Sequence, residues 1–159
     1  MTKKYWLLCF CLLVLFCACE QDRDPCLQPT NVYLRVKALR HVTDTTFADT
    51  LLVHPRWTAI DTGVTLVYLP KTSAFNLLLN PKSDSCRYAL QADSAVNVFD
   101  TLTFYYDHRL QFLSNACGYT YFYTLHNIST TLHNLDSVKL KNEDVNSNVN
   151  TPEHVQVFF

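Results

Sequence analysis

The sequence predicts an all-β domain, an antiparallel two-sheet β-sandwich of the immunoglobulin-like or transthyretin-like kind, behind an N-terminal export segment. Three observations predict it. Apolar and polar residues alternate with period 2 in short stretches after residue 31, turn-forming residues separate those stretches, and no segment sustains the 3.6-residue period of a helix. Short strands at this spacing bury their apolar faces by packing as two sheets. The chain has only two glycines, Gly63 and Gly118, which argues against a tight barrel with glycine corners.

The first residues are not part of that domain. Lys3 and Lys4 precede an uninterrupted apolar run from Tyr5 to Ala18. As a helix that run reaches about 21 Å, short of the roughly 30 Å hydrocarbon core, so it reads as the apolar region of a signal peptide. It ends in Phe16-Cys17-Ala18-Cys19 and turns polar at once, with Glu20, Gln21, Asp22, Arg23 and Asp24. A small residue before a cysteine at this place resembles the bacterial lipobox, in which the cysteine thiol is diacylated and becomes the mature N-terminus. Phe16 and Cys17 depart from the usual Leu and small residue. The rival reading is an ordinary secretory signal cut after Ala18. The expected organisation is a signal peptide over 1–18, lipidated Cys19 and a polar tether over 19–30, and one domain over 31–159. A single acyl chain holds a membrane only marginally, so the two or three chains of such an anchor matter for stable attachment.

Charge and cysteine content bound the function classes. Losing Lys3 and Lys4 leaves 11 basic against 14 acidic residues, a net −3. The remaining cations (Arg35, Lys37, Arg40, Arg56 and Lys71 among them) are scattered singly, so the concentrated basic surface that nucleic acid or anionic lipid requires is missing. Of seven cysteines, Cys9, Cys11 and Cys17 fall in the signal and Cys19 in the lipobox. Cys26, Cys86 and Cys117 remain in an export route that permits disulfides, allowing one bridge and one leftover thiol.

Element by element, residues 20–30 carry two prolines and read as the tether. Val32, Leu34, Val36 and Ala38 alternate with Tyr33, Arg35 and Lys37 as a half-buried strand. Further strands are expected at Val64-Leu66-Tyr68, Phe75-Leu77-Leu79, Tyr88-Leu90-Ala92 and Leu102-Phe104-Tyr106. The same alternation returns at Leu110-Phe112, Tyr119-Tyr121-Tyr123-Leu125, Val138-Leu140 and Val155-Val157-Phe159. Turns are expected at Asp61-Thr62-Gly63, at 80–84, at Asp107-His108-Arg109 and in the Asn-rich stretch 142–151. The strand from Gly118 to His126 reads as central, with its tyrosines and Leu125 on one buried face. The apolar C-terminal run His154 to Phe159 should pair as the last strand.

The motifs that could carry chemistry each have a structural reading. Ile60-Asp61-Thr62-Gly63 resembles the aspartic-protease triplet, but that chemistry needs two carboxylates sharing a proton and one copy is present. A turn is the reading adopted. Six histidines show no H-x-H or H-x-x-x-H spacing for a metal, and no G-x-S-x-G elbow occurs. The stretch 142–148 is oxygen-rich but lacks the central Gly and closing Glu of a calcium loop. No cofactor is expected.

A tripeptide recurs at Asp44-Thr45-Thr46, Asp49-Thr50-Leu51, Asp93-Ser94-Ala95, Asp100-Thr101-Leu102 and Asp136-Ser137-Val138. It resembles the acceptor for periplasmic O-glycosylation in Bacteroidetes, with Thr45, Thr50, Ser94, Thr101 and Ser137 as the candidate hydroxyls. The competing explanation is that Asp closes a turn and Thr or Ser opens a strand.

The segments 100–106, Asn115-Ala116-Cys117-Gly118-Tyr119 and the ending His154-Val155-Gln156-Val157-Phe158-Phe159 resemble an uncharacterised family of small Bacteroidetes lipoproteins, a domain of unknown function. The resemblance covers nearly the whole mature chain. It implies that Cys26 and Cys117 pair and leaves Cys86 as a lone thiol, with Cys86–Cys117 the competing pairing. It also implies that Glu20, Asp22 and Asp24 form an export signal toward the outer face of the outer membrane, the periplasmic face being the alternative. It brings no activity. The expectation is therefore a lipid-anchored envelope protein, attached to the membrane through its N-terminal lipid. It is expected to be non-catalytic, a binding or structural module with a protein or glycan partner. Tyr105 and Phe122, opposite the core sides of their strands, are the candidate exposed aromatics, or else lie under a second layer. The rival class is a hydrolase-like enzyme with a site assembled across loops.

Overall fold

The computed structural model describes residues 25–43, 46–150 and 152–159; Cys19, the acidic residues after it and Thr45 lie outside them. Among the described residues there are eleven strands and no helix. In chain order they are β1 Leu34–His41, β2 Phe47–Asp49, β3 Arg56–Ala59, β4 Thr65–Val67, β5 Ala74–Leu77 and β6 Ser85–Gln91. They continue as β7 Asp100–Ser114, β8 Gly118–Thr130, β9 Ser137–Leu140, β10 Asp144–Val145 and β11 Val155–Phe158. One sheet runs β2-β1-β11-β9, with β5 also on β1, and the other runs β10-β8-β7-β6-β3-β4.

The alternation seen in the sequence is the reason these elements pack as two layers. On β1, Leu34, Val36 and Ala38 are fully buried while the intervening residues are half exposed. β5 contributes Phe75 and Leu77, and β11 contributes Val155 and Val157. The second sheet answers with Trp57, Leu90, Leu102, Phe104, Tyr106 and Leu125. Rings meet across the layers: Trp57 on β3 lies 5.6 Å from Phe75 on β5, centroid to centroid. Each such ring removes a large apolar area from water, worth on the order of 2–3 kcal/mol.

The all-β two-sheet expectation holds, with one departure from purely antiparallel pairing. The C-terminal β11 lies between β1 and β9 and runs parallel to β1, with Val36 opposite Val155 and Leu39 opposite Phe158. The last strand does pair, and it does so inside a sheet rather than at its edge. Its Phe158 turns away from the main core and is covered by the rings of His41 and Phe47, at 5.4 and 5.0 Å.

Two further expectations are corrected. Asp107-His108-Arg109 is not a turn but the middle of β7, which joins the two stretches read as separate strands into one of 15 residues. The turn lies instead at 115–117, where Gly118 takes a φ of 70°, in the left-handed region that glycine enters without a Cβ clash. β8 is not central along its length. It pairs with β7 throughout but with β10 only at Tyr123 and Thr124, so Tyr119 and Tyr121 are exposed while Tyr123 and Leu125 are buried. The short β2, β3 and β10 carry too few residues to show alternation, and the sequence reading does not include them.

Candidate functional site: a stapled aromatic ribbon and an apolar cleft

Two features stand out from the frame of the sandwich. The first is the outer half of the β7–β8 hairpin. β6 accompanies β7 only as far as Tyr105, and β10 reaches β8 only at Tyr123 and Thr124. From Asp107 to Phe122 the hairpin therefore continues as a two-stranded ribbon. An isolated ribbon of this kind is marginal in water, so what holds it matters.

Its tip is bridged. Cys117 is bonded to Cys26, with Cα atoms 4.8 Å apart and 91 positions between them in the chain. Thr120 Oγ1 also donates to the carbonyl of Thr30 at 2.7 Å. The polar segment expected to be a free tether to residue 30 is thus fastened from Cys26 onward. Loop-closure entropy makes a bridge of this span worth about 4–5 kcal/mol. Cys86, the alternative partner, is a free thiol buried in β6.

The ribbon's inner face is apolar and exposed. It carries Leu110 opposite Tyr121 and Phe112 opposite Tyr119, with the last two rings 5.1 Å apart. Leu110 is 58% and Tyr119 63% exposed. His108 lies 5.8 Å from the Tyr121 ring and continues the face toward the core. The outer face is more polar: His126 Nε2 sits 2.8 Å from Asp107 Oδ2, and the Arg109 guanidinium lies 6.0 Å from the Phe122 ring centroid. Tyr105 and Phe122 do share that outer face. Tyr105 is exposed and Phe122 is half-buried beside Arg109, and they are separated along the hairpin (Tyr105 faces Asn127, Phe122 faces Arg109), so they form no joint patch.

The second feature is a cleft of about 260 Å³ between the β3–β4 turn and the loop 78–84. Its walls are Ala59, Val64, Leu66, Leu78 and Tyr88, with Cys86 at its floor and Asp61 and Arg87 at its rim. Three tyrosines hold the loop that closes it. The hydroxyls of Tyr88, Tyr123 and Tyr106 donate to the successive carbonyls of Leu78, Leu79 and Asn80, at 2.7, 3.3 and 3.0 Å. Tyr106 also accepts from the Asn80 amide at 3.0 Å. Burial raises the pKa of all three hydroxyls, to about 12 for Tyr88 and Tyr123.

The chemistry of the cleft is subdued. Burial pushes the Cys86 thiol up to about 11, which leaves almost no thiolate to act as nucleophile. Asp61, the acid of the protease-like triplet, sits in a turn whose Gly63 has a φ of 72°. Its carboxylate accepts from Arg87 Nε at 3.0 Å, Nη2 at 2.7 Å and the backbone amide at 3.1 Å. Those bonds hold its pKa below the usual carboxylate value. This is a turn clamp, not a catalytic dyad.

The candidate hydroxyls of the repeated tripeptide have different environments. Ser94 and Ser137 are exposed, Thr101 is half-buried within β7, and Thr50 Oγ1 is buried without a hydrogen bond. The aspartates explain part of the repeat. Asp93 caps the turn at Ala95. Asp100, 1% exposed, gathers the 131–135 loop: its carboxylate accepts from the amides of His133, Asn134 and Leu135 at 2.6, 2.8 and 3.0 Å and from Thr131 Oγ1 at 3.1 Å. Among the described residues no three His, Cys, Asp or Glu side chains gather as metal ligands.

Missed by the sequence reading was the ribbon itself, although a signal was available. Residues 110–125 contain no Asp, Glu, Lys, Arg or His, which no other stretch of the chain matches in length. What fold and bridge define is an all-β two-sheet domain, stapled by a disulfide at the tip of a projecting ribbon. The chain belongs to the family of unknown function DUF6452, which matches residues 34–159, from the first residue of β1 to the C-terminus. No curated protein and no solved structure matches it.

Proposed function

We propose that this protein is a lipid-anchored lipoprotein of the outer membrane in the Bacteroidetes, whose β domain is a non-catalytic binding or structural module. The observation that carries the reading is the Cys26–Cys117 bridge, because a disulfide of this kind belongs to an exported, oxidising compartment. It agrees with the signal-like start, with Lys3 and Lys4 ahead of the apolar run and the lipobox-like Phe16-Cys17-Ala18-Cys19 at its end. Residues 1–18 are the cleaved signal, Cys19 carries the lipid, and Glu20, Asp22 and Asp24 direct the protein to the outer face. A non-catalytic role is supported by the cleft, whose thiol is protonated and whose carboxylate is bound to Arg87. Its partner is a protein or a glycan, reached through the exposed sheet faces. Ser94 and Ser137 offer the accessible hydroxyls for O-glycosylation.

The test is surface accessibility of an epitope-tagged protein on intact cells, beside Cys19→Ser and a variant neutralising Glu20, Asp22 and Asp24. Antibody should reach the wild type and neither variant. Exposure only after cell rupture refutes the surface assignment, and a mature N-terminus without acyl mass refutes the anchor.

A further inference from the structure

We infer that the aromatic face of the β7–β8 ribbon is a membrane-contact surface that seats in the bilayer interface beside the lipid anchor. The inference rests on the anchor reading above. It is carried by where the chain leaves the domain.

Cys19 precedes Cys26 by only seven positions, so the lipidated residue lies within roughly 23–25 Å of Cys26 even when the chain is fully extended. Cys26 is covalently joined to Cys117 in the turn of the ribbon. The anchor is thereby tied to the ribbon's tip and not to the base of the sandwich, and the tip is the part of the domain that the lipid draws toward the membrane. Without the bridge, the chain from Cys19 to β1 at Leu34 would be twice as long and would leave the orientation free.

The surface brought there suits an interface. Leu110, Phe112, Tyr119 and Tyr121 form one apolar and aromatic face, and tyrosine in particular favours the boundary between headgroups and acyl chains. The uncharged stretch 110–125 spares the ribbon the cost of bringing a fixed charge into that boundary. Charge resumes where the ribbon joins the body, at Asp107, Arg109 and His126. Leu27, 89% exposed and one residue after Cys26, adds an apolar side chain beside the bridge. The ribbon's two outer edges keep backbone groups that need water, so it seats at the hydrated interface and does not cross into the hydrocarbon core. Exposed apolar side chains gathered on a projecting tip are otherwise an aggregation hazard.

The experiment uses the full lipidated chain in vesicles of phosphatidylethanolamine and phosphatidylglycerol, doped with phosphatidylcholine brominated near the glycerol backbone. Leu110→Trp and Tyr119→Trp place reporters on the ribbon. Val96→Trp places one in the turn that precedes β7, beyond its opposite end; the strand from Asp100 to Leu110 alone spans roughly 34 Å. The native Trp57 is buried and contributes a constant background. An apolar face seated about 5–10 Å into the interface should make both ribbon reporters at least about twofold more quenched than Val96→Trp. Circular dichroism and the intact disulfide verify folding of each variant, and the intact mass reports the acyl chains on Cys19. Equal quenching at the three positions on an acylated protein overturns the membrane contact and leaves the anchor reading standing. A mature chain without acyl mass overturns the anchor reading and the inference with it. Crosslinking of Tyr119 to a second copy, in place of bromolipid quenching, assigns the face to self-association and overturns the inference.

Discussion

Asp100 does more for this domain than its place in a repeated tripeptide suggests. Burial disfavours its charge, but three backbone amides and a threonine hydroxyl outweigh that, so its pKa falls below the ordinary carboxylate value. Asp100→Ala strands those donors in a buried site and should cost about 3 kcal/mol, measured by urea unfolding; Asp100→Asn, which keeps one acceptor, should cost less. His154 shifts the same way for a different reason. It is 1% exposed, and its Nδ1 accepts from the Arg35 amide at 2.9 Å. Burial, and then the Arg35 charge, lower its pKa to about 4. The unfolded chain therefore takes up a proton at His154 before the folded one does. Stability falls as pH drops from about 6.5 toward 4, by about 3 kcal/mol from this residue. Below the ordinary carboxylate range Asp100 continues the decline, since its depressed pKa stabilises the fold only while it is ionised. His154→Gln should flatten the upper part of this profile in thermal melts recorded across pH.

At the scale of elements, the ribbon and its bridge are the features most open to test. Reduction, or Cys26→Ser with Cys117→Ser, should lower stability by about 4 kcal/mol as the closed loop is released into the unfolded ensemble. Cys86 should stay unreactive toward a thiol reagent in the native protein and react on unfolding, because it is buried and protonated. The three tyrosines over the 78–84 loop form a second unit. Tyr88→Phe and Tyr123→Phe should each cost about 1 kcal/mol, and Tyr106→Phe more, because its hydroxyl both donates and accepts. Most strands were legible from period-2 alternation, β1 and β6 with their apolar positions buried as expected. The β7 reading broke at Asp107-His108-Arg109, where polar residues that mimic a turn sit in a ribbon exposed on both sides.

At the scale of the whole molecule, the first and the last strand of the described residues meet in one sheet. β11 inserts beside β1 at a separation of 119 residues, the most distant pairing in the fold. Removing residues 154–159 would strip Val155, Val157 and Phe158 from the interior and leave β9 without a partner. Such a truncation should abolish the cooperative thermal transition. So many non-local pairings also predict slow folding, in the millisecond-to-second range, in stopped-flow experiments.

The sequence by itself determined the class of fold, since alternation with turn punctuation leaves a strand-forming chain little choice but to bury one face of each sheet. It determined the likeness to a family without known activity and, through that likeness, the partner of Cys26. It also carried the signal-like start on which the envelope proposal depends. Tertiary structure alone decided which tyrosines are buried clamps and which stand exposed on the ribbon, because one strand holds both kinds in the same alternation. It decided that β11 runs parallel to β1 between two neighbours, and that Asp61 and Asp100 are spent on turns and loops. The physical reason is common to all of these. A residue's own type sets what it can bury or bond, but whether it does so depends on which distant strand lies over it, and local sequence carries no record of that neighbour.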